Sequence, residues 1–156
     1  EIKQHPERFS PNVIMRPLYQ EVILDHYRSP LNKGLASEKD VQVHHNNPSC
    51  GDEVTLNLTM RDGFVKQITW DGVGCSISMA STSVMSDLLT GKEYQQAMKV
   101  LDAFVNLMQS KGQSKGDEEI LEDGVAFAGV SKFPARIKCA LLGWMAFKDA
   151  STQVMA

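Results

Sequence analysis

Tyr19, Val22, Ile23, His26 and Tyr27 recur at helical spacing, and Pro30 follows shortly after. A residue before proline avoids helical backbone, so the pattern predicts a first helix over roughly 17–28. The period then changes. Val41 and Val43 alternate with polar neighbours and predict a short strand. Val54, Leu56, Leu58 and Met60 alternate with Thr55, Asn57 and Thr59; Arg61-Asp62-Gly63 intervenes, and Phe64, Ile68 and Trp70 follow at even spacing. This is a hairpin pattern. A two-residue loop at Asp62-Gly63 would pair Arg61 with Phe64 and set Leu56 against Thr69 and Leu58 against Gln67. A three-residue loop sets Met60 against Phe64, Leu56 against Ile68 and Val54 against Trp70. The second register keeps one apolar face, broken only by Lys66, and is the one expected.

Helical spacing returns in the second half. Residues 76–90 form a run rich in small residues, with Ser76 or Ser78 as cap and Gly91 as terminator. Tyr94, Ala97, Met98, Leu101, Val105 and Met108 define the stripe of the next helix. Residues 111–119 are polar and predict a solvated loop, with a short helix around 118–123. Pro134 suits the first turn of a last helix, whose expected buried stripe is Ile137, Leu141, Trp144 and the alkyl stem of Lys148. Two or three strands followed by several helices give an α+β fold: a small antiparallel sheet of about three strands with helices on one face. Residues 1–14 are polar and aperiodic and contain two prolines, which predicts a flexible leader ahead of a single domain over 15–156; Met15 is a candidate start of the natural chain.

Composition changes this picture little. The chain has 156 residues, is 42% hydrophobic and carries a net charge of −3. That length can bury a core. A slight acidic excess speaks against a nucleic-acid partner. No apolar run approaches the ~20 residues that cross a bilayer, and no signal-peptide pattern opens the chain, so the expected location is the cytoplasm, away from membranes.

The three cysteines carry the candidate chemistry. An odd count does not suit a disulfide framework. A single cysteine is most often a small buried hydrophobe. Here, however, Cys50 and Cys75 lie in glycine-rich loops, and Cys139 shares a helix face with Arg136 and Gly143. Extending the expected hairpin register sets Cys50 opposite Gly74, beside Cys75, and Asp52 opposite Gly72. Cys75 opens a helix, where backbone N–H groups stabilise a thiolate. Cys139 is expected to lie off the buried stripe and to point at the open hairpin end. Three thiolates and a carboxylate can hold a divalent ion, and their net negative charge gives Arg136 and Lys138 a reason to lie nearby. His44 and His45 precede this loop, but strand alternation sends them to opposite faces, which argues against a metal role for either.

Asn47-Pro48-Ser49-Cys50-Gly51-Asp52, Gly74-Cys75-Ser76-Ile77-Ser78-Met79-Ala80-Ser81 and Pro134-Ala135-Arg136-Ile137-Lys138-Cys139 resemble the signature segments of the IscU/SufU family of iron–sulfur cluster assembly proteins. The resemblance spans about residues 17–148. It implies a metal site of Cys50, Asp52, Cys75 and Cys139. In the scaffold branch a [2Fe–2S] cluster is assembled on such a set together with a histidine. Here Lys138 precedes the last cysteine, and Lys132-Phe133-Pro134-Ala135-Arg136 stands where the scaffold branch carries Leu-Pro-Pro-Val-Lys. These departures resemble the SufU branch. That resemblance implies a Zn²⁺-dependent sulfurtransferase that takes persulfide sulfur from a SufS-like cysteine desulfurase and serves the downstream assembly machinery. Cys50, in the most mobile setting, is the expected acceptor, with Arg136 steadying its charge. The alternatives are a [2Fe–2S] scaffold, a structural zinc module that presents a surface to a partner, and an electron carrier.

Overall fold

A computed structural model describes residues 15–156, with side chains from residue 18 onward; the expected leader, residues 1–14, lies outside the described residues. The elements are α1 (Met15–Arg28), β1 (Val41–Asn47), β2 (Asp52–Arg61), β3 (Phe64–Val73), α2 (Ser76–Leu89), α3 (Tyr94–Met108), α4 (Glu118–Leu121), a 3-10 stretch (Glu122–Lys132) and α5 (Pro134–Met155). The strands form one antiparallel sheet in the order β1-β2-β3. Helices α2 and α5 pack on each other, and α5 lies against β1 and β2. This is the α+β architecture the pattern predicts.

The hairpin register differs from expectation. Arg61 pairs with Phe64 across a two-residue turn, and both turn residues have positive φ, 53° at Asp62 and 83° at Gly63. Asp-Gly is the usual chemistry of such a turn. The pairing then shifts between Thr59 and Met60: Met60 pairs with Val65, whereas Thr59 pairs with Gln67. Lys66 is the extra residue of a bulge in β3. Beyond it Leu58 pairs with Ile68 and Leu56 with Trp70. The bulge therefore restores the coherent apolar face that a tight turn alone would scatter. Val65 is fully buried and Phe64 is 49% exposed, the reverse of their expected roles.

The helix-facing side of the sheet carries Val43, Val54, Leu56, Leu58, Met60, Ile68 and Trp70, all buried. Against it stand Trp144 and Phe147 of α5 with Phe104 of α3 and Phe127 of the 3-10 stretch, each at 0% exposure. Phe104 stacks on Trp144 with ring centres 4.3 Å apart and meets Phe127 edge-on at 6.0 Å. Such pairs contribute about 0.5–1.5 kcal/mol each beyond the area they bury. The opposite face is polar but not bare. Buried Asn57 donates to the Ala36 carbonyl (2.9 Å), and Ala36 N–H donates to Thr69 Oγ1 (3.0 Å). The same connection runs along β3, where Trp70 N–H reaches the Asn32 carbonyl and Gly34 N–H reaches the Trp70 carbonyl. It satisfies backbone groups that an open edge would leave unpaired.

Two helical expectations also need correction. In α3 the buried residues are Ala97, Val100, Leu101, Phe104, Leu107 and Met108, while Tyr94, Met98 and Val105 are only partly buried. In α5, Lys148 is exposed and Ile137 and Leu141 are half-buried, whereas Cys139, Ala140, Leu142, Gly143, Trp144, Ala146 and Phe147 are buried. α5 touches α2, α3, the 3-10 stretch and two strands. A helix enclosed on several sides has no single narrow stripe.

Candidate metal centre

The site lies at one end of the sheet and is assembled from four segments. β1 ends at Asn47 and β2 begins at Asp52, its ladder partner. Between them the chain turns tightly: the Asn47 carbonyl accepts the N–H groups of Cys50 (3.1 Å) and Gly51 (3.0 Å), and Gly51 has φ +71°. Cys50 therefore sits at the tip of the β1–β2 turn, where it is exposed. Asp52 shares parity with Val54 and Leu56, so it faces the helices, and it is fully buried.

The third segment is the end of β3 and the start of α2. Cys75 occupies the N-cap position of α2 in extended backbone, with no side-chain cap bond of its own. Neither Ser76 nor Ser78 caps the helix as expected; Ser78 Oγ instead donates to the Cys75 carbonyl (3.0 Å). Asp52 Oδ1 accepts the Cys75 N–H at 2.9 Å, and the Cys75 thiol lies 3.8 Å from Asp52 Oδ2 and 3.6 Å from Ser78 Oγ. Gly74 has φ +157°, and a Cβ on it would strike the Asp52 carboxylate. Only glycine lets the carboxylate approach the helix start this closely.

The fourth segment is the first turns of α5. Pro134 occupies the start of that helix, as expected. Cys139 is at 0% exposure, not displaced from the buried direction as expected. It nevertheless reaches the site: its Sγ lies 3.3 Å from Cys50 Sγ, and Asn47 Nδ2 points at it from 3.9 Å. Burial, the Asp52 carboxylate and the Cys50 and Cys75 thiols all push the Cys139 thiol well above its ordinary pKa when no cation is bound.

Ligand atoms of Cys50, Asp52 and Cys139 all lie within 4.8 Å of one another, the arrangement of a metal-binding group. Cys75 joins this trio through Asp52. Zn–S bonds of ~2.3 Å in a tetrahedron put sulfurs about 3.8 Å apart. The Cys50–Cys139 sulfur separation, 3.3 Å, is about half an ångström short of that edge, and Cys75 Sγ lies 3.8 Å from Asp52 Oδ2. The donor set also fits on chemical grounds. A fully buried carboxylate needs a compensating charge, and among the described residues no cationic side chain contacts Asp52. The residues present therefore suit a divalent cation such as zinc.

The remaining predicted residues fall outside this group. Arg136 is exposed and lines a groove with Tyr19, Ile23, Ser76, Ile77 and Phe133, one turn of α5 before Cys139. Lys138 is exposed. His44 bonds Thr55 (2.9 Å) and Glu53 (3.1 Å) on the far face of the sheet. His45 bonds Asp149 of α5 (2.8 Å). Asn47, to which the sequence assigned no role, and Ser78, expected only as a helix cap, both touch site sulfurs. The parity of Asn47 with Val43 along β1 was the available signal.

Comparison with known proteins places this chain in one family. The NifU-like N-terminal domain model matches residues 18–140, so the chain belongs to that family, which includes the iron–sulfur cluster assembly proteins of the IscU and SufU kind. It is 43% identical over 137 residues to the zinc-dependent sulfurtransferase SufU of Bacillus subtilis, covering 88% of this chain and 91% of that protein. It is 39% identical over 134 residues to the iron–sulfur cluster assembly scaffold protein IscU of Streptococcus pyogenes, covering 85% and 82%. Among solved structures it superimposes on a cluster assembly scaffold protein for the SUF system from Fervidobacterium islandicum with TM-score 0.74 and 31% identity, covering 89% of this chain and 98% of that one. A NifU-like N-terminal protein from Brucella abortus gives TM-score 0.81 at 26% identity, covering 90% and 96%. A likeness to the N-terminal Rossmann-like domain of the bacillithiol biosynthesis protein BshC is confined to residues 1–27, of which the described part is α1 alone. Among the described residues no helix is long and apolar enough to cross a membrane.

Proposed function

We propose that this protein is a zinc-dependent sulfurtransferase that accepts persulfide sulfur from a cysteine desulfurase for iron–sulfur cluster assembly. The observation that carries the reading is the asymmetry of the site. Three thiols and a buried carboxylate converge, and only Cys50 is exposed. Cys50, Asp52, Cys75 and Cys139 would hold the zinc, which supplies a redox-silent charge that keeps the thiols deprotonated. Likeness to the zinc-dependent SufU, and Lys138 where the scaffold branch has histidine, support this branch.

Cys50 is the acceptor in this reading. Its thiolate attacks the outer sulfur of the desulfurase persulfide; the new bond is Cys50 Sγ–S, and the desulfurase cysteine leaves as a thiolate. Cys75 is fixed by its backbone at a helix start and Cys139 by the interior of α5, so neither can travel. Cys50 rides on a turn whose ladder bonds end at Asn47 and Asp52. Asp52 stays behind as the anchor, held by the Cys75 N–H. Arg136, exposed at the groove beside the start of α2 and without an ion-pair partner among the described residues, offers charge to the incoming sulfur and to the partner. The assembly machinery downstream receives the sulfur.

The likeness to IscU scaffold proteins supports a second reading, in which the same residues hold a nascent [2Fe–2S] cluster. One experiment separates the two. The purified chain is analysed for metal, then incubated with a desulfurase and cysteine. Stoichiometric zinc, a rise in desulfurase turnover that Cys50→Ala abolishes, and an added sulfur on Cys50 are expected. Arg136→Ala lowers the turnover while zinc stays bound. Iron as the only stoichiometric metal after anaerobic purification would favour the scaffold. Sulfur found on Cys75 or Cys139, with Cys50 unmodified, would reject the proposed acceptor.

A further inference from the structure

The Cys50 and Cys139 sulfurs are 3.3 Å apart, in direct contact, and they face each other across the boundary between the protein interior and solvent. Cys139 is at 0% exposure and Cys50 is exposed. Cys75 lies beside Asp52 and Ser78. We propose that Cys139 is a resolving thiol: with the site free of metal, it discharges a persulfide on Cys50 as hydrogen sulfide and leaves a Cys50–Cys139 disulfide. The inference rests on Cys50 being the residue that carries sulfane sulfur.

The step balances without an outside reductant. As the Cys139 proton passes to the Asp52 carboxylate, which has an oxygen within 4.8 Å of Cys139 Sγ, that sulfur attacks Cys50 Sγ, the inner sulfur of the persulfide. The Cys50–Cys139 S–S bond forms as the bond between Cys50 Sγ and the outer sulfur breaks. The outer sulfur leaves with its own proton and takes a second from solvent, to which Asp52 returns the Cys139 proton, giving H₂S. The sulfane sulfur is reduced, and the two cysteine sulfurs are oxidised to the disulfide.

Geometry favours this attack over others. Displacement at sulfur runs in line, so the leaving atom must lie opposite the nucleophile. Sulfur delivered to Cys50 arrives from the solvent side, and Cys139 waits on the interior side. Closing the contact to a disulfide length of ~2.05 Å requires a shift of about 1 Å. That shift falls on the turn at Cys50, where Gly51 is already in the left-handed region and has no atom within 4 Å of a Cβ placed on it. A Cys139 sulfur engaged as a metal ligand shares its charge with the ion and is fixed in place, which suppresses the attack. The ion thus decides the fate of the sulfur: kept for transfer when the site is loaded, expelled as sulfide when it is empty.

The test compares the zinc-loaded and chelator-stripped full-length chain, each treated anaerobically with inorganic polysulfide, which charges thiols without a desulfurase. Sulfide is trapped and counted, and the cysteines are mapped by mass spectrometry without reduction. Expected from the stripped chain is sulfide in step with a Cys50–Cys139 crosslink that lacks two hydrogens. The loaded chain keeps one extra sulfur on Cys50 and releases none. Cys139→Ser in the stripped state holds the persulfide and forms no crosslink. A lasting persulfide on Cys50 of the stripped parent chain would overturn the inference, as would a crosslink to Cys75 or no reaction at Cys50. Failure of a desulfurase to charge Cys50, with the polysulfide results as expected, would instead count against the sulfurtransferase reading alone.

Discussion

Asn47 does two things at once. Its backbone carbonyl closes the turn that carries Cys50, and its side-chain amide points at the Cys139 sulfur. The carbonyl survives truncation of the side chain and the amide does not, so the two effects separate cleanly. Asn47→Ala is expected to keep the fold and the turn but to weaken zinc binding by about 10- to 100-fold, the usual loss when a group supporting a metal ligand is removed. Competition with a chromophoric chelator measures this, and unchanged affinity would leave Asn47 without a role at the metal. Asp52 is a stronger case because in the proposed site it would supply a ligand atom, and it also anchors the Cys75 N–H. Asp52→Ala should lose more zinc than Asn47→Ala in the same titration. If the order is reversed, the carboxylate is an N–H acceptor for α2 and not a ligand.

The β2–β3 hairpin shows how much of an element a one-dimensional pattern contains. Alternation places both strands and the turn, because Val54, Leu56 and Leu58 on one side and Ile68 and Trp70 on the other keep period two. It cannot reveal an inserted residue unless the phase is followed through the break. Here the break is visible: Val65 and Ile68 are both buried yet three apart, so one residue between them must be extra. Taking a three-residue loop in place of the tight turn and its bulge moves the pairing by two and sets Asp52 opposite Gly72, not at the Gly74-Cys75 corner where it lies. The grouping of Cys50, Asp52, Cys75 and Cys139 at one sheet end was still legible, because it survives a small error of register. The burial of Cys139 was not, since it depends on α2 and the sheet closing over α5, a tertiary fact that no stripe on α5 encodes. The bulge also has a local support. Asp40 Oδ2 accepts the N–H of Met60 at 2.8 Å, at the residue where the register shifts, and Arg61 lies 3.4 Å away. The Met60 N–H holds the Asp40 carboxyl below its usual range, with a smaller share from Arg61. Because the folded value is the lower one, this stabilisation is complete above the ordinary aspartate pKa of about 4 and fades as pH falls through the folded value. Asp40→Ala is therefore expected to cost about 1 kcal/mol at neutral pH, the net worth of one such hydrogen bond. In thermal melts the gap between variant and parent should narrow below about pH 4. A gap that stays constant into acid would mean that the side chain acts through packing and not through its charge.

At the scale of the whole molecule, the question is how far the fold depends on the metal. The four site segments come from the β1–β2 turn, the start of β2, the N-terminus of α2 and the first turns of α5, so an ion there ties the sheet end to both packed helices. Without it, the buried Asp52 carboxylate has no cation and the Cys139 thiol is held protonated, which loosens that end. The other end of the molecule is independent of the site. Trp70, Trp144, Phe104, Phe127 and Phe147 are fully buried in a continuous core, and His26 of α1 bonds Ser83 of α2 (2.8 Å) and Asp123 of the 3-10 stretch (2.9 Å). A small zinc module lacks such a core and unfolds when its metal is taken. Here the expected outcome is a chain that stays folded without zinc but melts lower. At free zinc about a thousandfold above Kd the ion adds about 4 kcal/mol. At about 2–4 °C per kcal/mol for a domain of this size, chelation should lower Tm by roughly 10 °C. Calorimetry with and without chelator, paired with circular dichroism, measures both quantities. Complete loss of helical signal on chelation would assign the ion a structural role and favour the zinc-module alternative. An unchanged Tm would mean that the four residues do not bind the ion together. A cooperative transition at reduced Tm is what a ligand-exchanging site requires, because Cys50 can leave the metal during transfer only if the fold survives its departure.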